Sequence, residues 1–265
     1  MSFIFVGLVP LLYGIALASP SLPLKNAARN RRILIIAGFT FHSGGIFLRG
    51  MDSLLAGSGP WAVVTLYETL VILSWFLPVF AFLLSPKECR SSILKIALAA
   101  ATLIMIFVSL CPWLPRDIRT LSAAFLTWRL PFHALTALSA YGAFAVAAVA
   151  AILCLRRREE DPLRNSFFRT LTNGIAVGRV LLAIGIISGA AWAYDAWGSY
   201  WSWDPKQNGA LATWLFFTVI SHLEEGSGER QQRRVALLTL LGLASIIITY
   251  LVADAASELH RFLRQ

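Results

Sequence analysis

Charge is scarce in this chain. Only 14% of its 265 residues are Asp, Glu, Lys or Arg, against about 25% in soluble domains. That shortage, with 57% hydrophobic residues, excludes an ordinary soluble domain and points to a polytopic membrane protein. Cysteine is scarce too: Cys89, Cys111 and Cys154 are scattered and form no CxxC. A thioredoxin-like redox motif and a zinc knuckle are thereby excluded. Internal repeats and low-complexity tracts are absent, and the first apolar segment lacks the basic start and small-residue cleavage site of a signal peptide, so it reads as a span. Histidine is limited to His42, His133, His222 and His260, which makes each one worth placing. The net charge of +9 raises the question of nucleic acid, but its distribution answers to membrane orientation instead, and no nucleic-acid partner is expected.

What is present is a set of long apolar runs. A bilayer core takes about 17–25 residues of helix. On that criterion we count eight spans, at about 3–18, 33–48, 63–84, 93–110, 131–155, 180–197, 209–223 and 235–253. The fold class expected is therefore all-α, a single integral membrane domain over 1–265 with about eight transmembrane helices. The loops alternate in charge. Those after the first, third, fifth and seventh spans carry 16 of the 23 basic residues. The positive-inside rule then puts both termini on the outer side, with the 111–130 loop and the C-terminal tail.

The same rule sends a third stretch outward. Residues 192–214, WAYDAWGSYWSWDPKQNGALATW, hold five of the nine tryptophans. Asp204 and Pro205 open a helix well, as cap and first helical residue, but helix-start chemistry does not require the tryptophans. An aromatic belt anchoring two helix ends is the plain alternative. Trp197, Trp201 and Trp203 crowd more closely than a belt needs, and form a surface for a flat, partly apolar ligand. His133 and His260 fall on the same outer side. His42 lies about nine residues into its span, about 14 Å, and His222 at the far end of the seventh. Singly, each histidine has a plain reading as a hydrogen-bonding or interfacial residue. As a set they offer pairs of nitrogens of the kind a six-coordinate haem iron takes, with Arg116, Arg119 and Arg129 placed to meet propionates.

WGSYWSWDPKQNGALATW resembles the tryptophan-rich WWD signature of the haem-handling proteins of cytochrome c biogenesis. Trp197, Gly198, Trp201, Trp203, Asp204, Pro205 and Lys206 match it, and Trp214 follows in place. Within that superfamily the chain is most similar to the CcsA (ResC-like) type of system II. FHSGGIFLRG and LYETLVILSW resemble its second and third spans, WRLPFHALTALSAYGAF its first outer histidine segment, and TYLVADAASELHRF its second. Gln207 stands where the family has Glu, and the tail after His260 is short. The resemblance implies haem b as substrate. Its iron is held at an outer site by His133 and His260 and at a transmembrane site by His42 and His222, and its vinyl edge is presented over the Trp-rich loop to the CxxCH thiols of apocytochrome c. It implies a bacterial inner-membrane location with a periplasmic active face. A CcsB/ResB-type partner would complete a thioether-forming haem lyase, and thiol-reducing proteins are possible further partners. No residue of the chain is expected to act as a nucleophile, because the substrate brings the thiols. The alternatives are a haem exporter or chaperone like the CcmC branch, a HemX-like regulator of haem synthesis, and an electron-transfer cytochrome b.

Overall fold

The computed structural model describes residues 2–19, 26–59, 65–114, 116–118, 127–223 and 228–250. Eight helices follow in order: α1 Ser2–Ala18, α2 Ala27–Leu55, α3 Leu66–Leu84, α4 Lys87–Leu110, α5 Arg129–Leu155, α6 Pro162–Trp197, α7 Pro205–His222 and α8 Glu229–Ile248. The described residues contain no strand. Six helices, α2 to α6 and α8, are long and apolar enough to cross a membrane. The other two of the eight expected spans also form helices. α1 is apolar but has 17 residues, and α7 has 18 with a polar first turn. Large apolar side chains point outward in mid-helix, among them Leu103, Ile187 and Leu241, as a lipid-facing surface requires.

Two helices run well beyond their apolar windows. α6 starts at Pro162 rather than near 180, so Arg164, Arg169 and Arg179 are helical and not loop residues. Asp161 caps it, accepting from the Leu163 N–H at 2.9 Å, and Pro162 takes the first position. Phe167, Leu171, Ile175 and Leu182 are all buried. They continue the inward face of the apolar half at helical spacing, a pattern that mean hydropathy does not register. α2 likewise begins at Ala27, before its apolar window.

The core divides in two. The larger cluster joins α5 to α6, α7, α8 and the halves of α3 and α4 where these two helices meet. The smaller joins α1 to the other halves of α3 and α4. α5 and α6 form the most extensive pairing, because α5 presents alanines and α6 glycines. A Cβ on Gly174 would lie 2.8 Å from that of Ala147, and one on Gly178 2.6 Å from the Phe144 ring. Small residues let membrane helices approach until their backbones nearly touch. The same Phe144 ring stacks on Phe217 of α7, with centroids 3.8 Å apart and planes 8° from parallel.

Replacing Phe217 with Ala removes the fully buried ring that fills this junction. The expected cost is about 3–5 kcal/mol, read as earlier unfolding in a denaturant titration of the detergent-solubilised protein. Ile187→Ala, on the outward surface, should shift the midpoint by a small fraction of that.

Candidate functional site

The tryptophan-rich stretch is mostly helix. Trp192 to Trp197 form the last turns of α6, residues 198–204 are the loop, and α7 begins at Pro205. Gly198 ends α6 in the left-handed region, φ 76°, and its N–H donates to the Tyr194 carbonyl. Trp203 is also left-handed, φ 58°, where a bulky residue costs about 1–3 kcal/mol. The loop holds it there. Asn208 Nδ2 donates to the Trp203 carbonyl at 2.8 Å, and Ser199 Oγ to that of Trp201 at 3.0 Å. The Ser202 N–H and Oγ both donate to Gln207 Oε1. Gln207, the residue that departs from the WWD pattern, thus serves the loop as an acceptor, which a Glu carboxylate would equally be. Asp204 caps α7 as the sequence suggested, accepting from the Lys206 N–H at 2.9 Å. The outcome is a Trp203 ring 73% exposed and edge-on to Trp201. Trp214 takes no part in this surface. Its Nε1 donates to the Arg179 carbonyl at 3.1 Å, joining α7 to α6.

His133 stands in the second turn of α5, facing the last turns of α6. Its Nδ1 lies 2.7 Å from the Gly185 carbonyl oxygen. A carbonyl only accepts, so Nδ1 carries the proton and Nε2 the lone pair. Nε2 makes no hydrogen bond among the described residues. The ring lies almost parallel to that of Trp192, at 10° and 6.1 Å, and Trp192 meets Trp197 edge-on at 5.0 Å. Gly189 admits the imidazole: a Cβ there would lie 2.6 Å from Nδ1. An ion pair between Arg129 and Asp195, half-buried, fastens the start of α5 to the end of α6. At the same end of the bundle, Lys206 lies 5.5 Å from the Tyr250 ring centroid, and the Tyr250 hydroxyl reaches Thr69 of α3.

His42 repeats this arrangement with its nitrogens exchanged. It is fully buried in α2. Nε2 lies 3.0 Å from the Val71 carbonyl of α3, so Nε2 carries the proton. Nδ1 keeps its lone pair, and no partner for it is found among the described residues. Tyr13 of α1 flanks the ring. His222 is the exposed last residue of α7. α7 packs on α6 and α8, whereas α2 packs on α1 and α3, so the structure does not bring His42 and His222 into contact. His260 lies outside the described residues. No three of His, Cys, Asp and Glu gather as a metal cage among the described residues, so each histidine offers one nitrogen.

Sequence reasoning missed the anchors of these histidines: Gly185, Gly189 and the Asp195 partner of Arg129. The glycines sit at i and i+4, the spacing of close helix approach, and that was the available signal. Gly189→Ala should destabilise the protein by about 1–3 kcal/mol through the clash with His133. Adding His133→Ala, which removes the ring, should recover most of the loss. The double-mutant coupling in unfolding experiments checks this contact.

Comparison with known proteins agrees with the motif. A family described as cytochrome C assembly protein matches residues 63–260, about three quarters of the chain. Proteins named cytochrome c biogenesis protein CcsA are similar over shorter stretches. That of Mesostigma viride is 46% identical over 89 residues, 33% of this chain and 29% of that protein. That of Prochlorococcus marinus is 49% identical over 77 residues, 29% and 25% of the two chains. That of Cycas taitungensis is 38% identical over 118 residues, 38% and 36%. The matched stretches thus span between a quarter and just over a third of these relatives' length. The all-helical membrane architecture, the WWD loop and the family match together establish that this chain belongs to the cytochrome C assembly protein family, as a CcsA-type cytochrome c biogenesis protein.

Proposed function

We propose that the chain receives haem b and presents it for attachment to apocytochrome c. The observation that carries this reading is the preparation of His133. One nitrogen is fixed by a backbone carbonyl of the neighbouring helix, and the other keeps its lone pair on a ring that lies parallel to Trp192, which in turn meets Trp197 at the end of α6. Metal-binding histidines are commonly oriented in this way, by donating the second N–H to a carbonyl or carboxylate. His260 would be the second histidine to hold the iron. Trp197, Gly198, Trp201, Trp203, Asp204 and Pro205 form the loop over which the vinyl edge lies. Its exposed ring Trp203 is held out in a strained conformation, and strain of that kind collects at ligand sites.

The transmembrane site is an earlier stop on the same route. His42 is its better supported member, being buried, anchored and furnished with a partnerless Nδ1. His222 completes it only after rearrangement, since the two helices rest on different neighbours. The bis-histidine outer pair holds and orients the porphyrin, and the loop excludes water from one face. Apocytochrome thiols then add across the vinyl groups, each sulfur bonding to the inner vinyl carbon and the thiol proton going to the outer one. Holding both reactants together lowers the barrier by several kcal/mol, so the chain needs no nucleophile of its own. The same reading supplies the partners: a CcsB/ResB-type membrane protein to complete the lyase, apocytochrome c, and a thiol-reducing protein. The active face is the outer one, because most of the basic residues lie on the side away from the loop, and we place it at the periplasmic side of a bacterial inner membrane. Delivery of haem without attachment is the second reading, favoured if haem binds but no thioether forms with the partner present.

The detergent-purified protein should carry low-spin haem. His133→Ala should lose that spectrum, and added imidazole should restore it. Reconstitution with the partner and a CxxCH peptide should give covalent haem, scored by haem staining after denaturation. Haem indifferent to His133→Ala would overturn the ligand assignment. Trp203→Gly should leave stability equal or higher by about 1 kcal/mol, because the strain is relieved, while lowering covalent attachment.

A further inference from the structure

A pair of opposite charges is buried where the C-terminal half of α2 meets the start of α3. Arg49 is 8% exposed and Glu68 9%. Both Nε and Nη2 of Arg49 donate to one oxygen, Glu68 Oε1, at 3.0 and 2.5 Å. The other oxygen is committed to the helix start. Glu68 Oε2 accepts from the Thr65 N–H at 2.9 Å and from the Thr65 hydroxyl, closing the capping box of α3. A guanidinium edge is shaped to meet both oxygens of a carboxylate, and here it meets only one of those of Glu68, with Nη2 also donating to the Asp117 carbonyl at 3.4 Å. Glu68 can therefore release Arg49 without leaving its cap.

The surroundings suit a ligand that is apolar with a carboxylate at its edge. A narrow pocket of about 30 Å³, room for about two waters, abuts the pair. Val6, Gly45, Ile46, Val71 and Ile72 from α1, α2 and α3 wall it. Val71 also accepts the His42 N–H, so the pocket reaches the histidine's own anchor. His42 and Arg49 are seven residues apart on α2, close to two turns, and so share a face at about 10 Å along the axis. That is the separation between the centre of a porphyrin and the carboxylate on its propionate arm. Stability does not require such a pair, since buried ion pairs are often no better than apolar residues of equal volume. Ionisable groups within membrane spans mark ligand sites by default.

We propose that Arg49 is the receptor for a propionate carboxylate of the tetrapyrrole whose iron His42 takes. Glu68 is the internal carboxylate that holds the guanidinium until the ligand arrives. This rests on the reading of His42 as a haem ligand. α1 covers the pocket through Val6, which lies against Gly45 of α2, while Tyr13 packs on Gly38 beside His42, so the ligand would enter by parting α1 from α2.

The test is a spectroscopic titration of the full chain carrying His133→Ala, which silences the outer site, purified from haem-depleted cells. The probes are ferric haem and its dimethyl ester, in which both carboxylates are blocked. The free acid should bind roughly ten- to a hundredfold more tightly than the diester. Arg49→Gln should abolish that preference, and Arg49→Lys, which keeps the charge but not the two-pronged geometry, should keep part of it. Glu68→Gln still caps α3 and removes the competing charge, so it should tighten binding of the free acid. A purely structural pair would weaken both ligands alike in every variant, and that result overturns the proposal. Equal affinity for acid and diester, with binding still lost in His42→Ala, overturns it while leaving the haem reading of His42 intact. Binding indifferent to His42→Ala overturns both.

Discussion

The candidate site depends on one hydrogen bond, from His133 Nδ1 to the carbonyl of Gly185. A helix carbonyl is normally screened by its own helix and its neighbours' side chains. This one is reachable because α5 and α6 touch almost backbone to backbone, and because position 189 has no Cβ to stand in the way. The alanines of α5 and glycines of α6 that build the core are thus also what brings an imidazole against a main-chain oxygen. Once that bond is made, the tautomer follows, and with it the nitrogen left for a ligand. Trp192 then fixes the ring plane from the side, and the Arg129–Asp195 pair fixes the distance between the two helix ends.

His42 shows the same logic in the other tautomer, with Val71 of α3 in place of Gly185. Two histidines on different helix pairs, each tied to a neighbouring helix through one nitrogen, share an economical device. The backbone carbonyl orients the ring in each case, with the Ser74 hydroxyl also 3.5 Å from His42 Nε2. They differ in access. His133 is partly buried near the end of the α5–α6 pair, against Trp192. His42 is fully buried, flanked by Tyr13 of α1 beside the smaller of the two cores.

Much of the helical layout was legible from the chain because lipid demands long apolar runs, and α3, α4 and α5 carry them without interruption. The first half of α6 was hidden because its burial is periodic and its average is polar: Arg164 and Arg169 interrupt Phe167 and Leu171, which nevertheless face inward. The loop chemistry was legible where it is local. Asp204 and Pro205 announce a helix start, and the tryptophan spacing announces a surface. The anchors were not, because Gly185 lies 52 residues beyond His133 and glycine advertises only close approach. The positive φ of Trp203 is likewise accompanied by hydrogen bonds scattered along the loop, from Asn208 to its own carbonyl and from Ser199 and Ser202 beside it. Pairing histidines by side of the membrane placed His133 beside the tryptophans, where it is found. It did not bring His42 to His222, which rest on different helices. The cytochrome C assembly family match covers the stretch that contains the loop, His133 and His260.

The most direct measurement is nuclear double resonance on ferric haem in the full chain, with histidine labelled by ¹⁵N at either the δ1 or the ε2 position. His42 and His222 would both be replaced, so that only the outer site contributes. The expected result is a directly bonded ¹⁵Nε2 from His133, lost in His133→Ala, with Nδ1 appearing as a remote protonated nitrogen. A spectrum with Nδ1 bonded, or with no histidine nitrogen on the iron, would contradict the account.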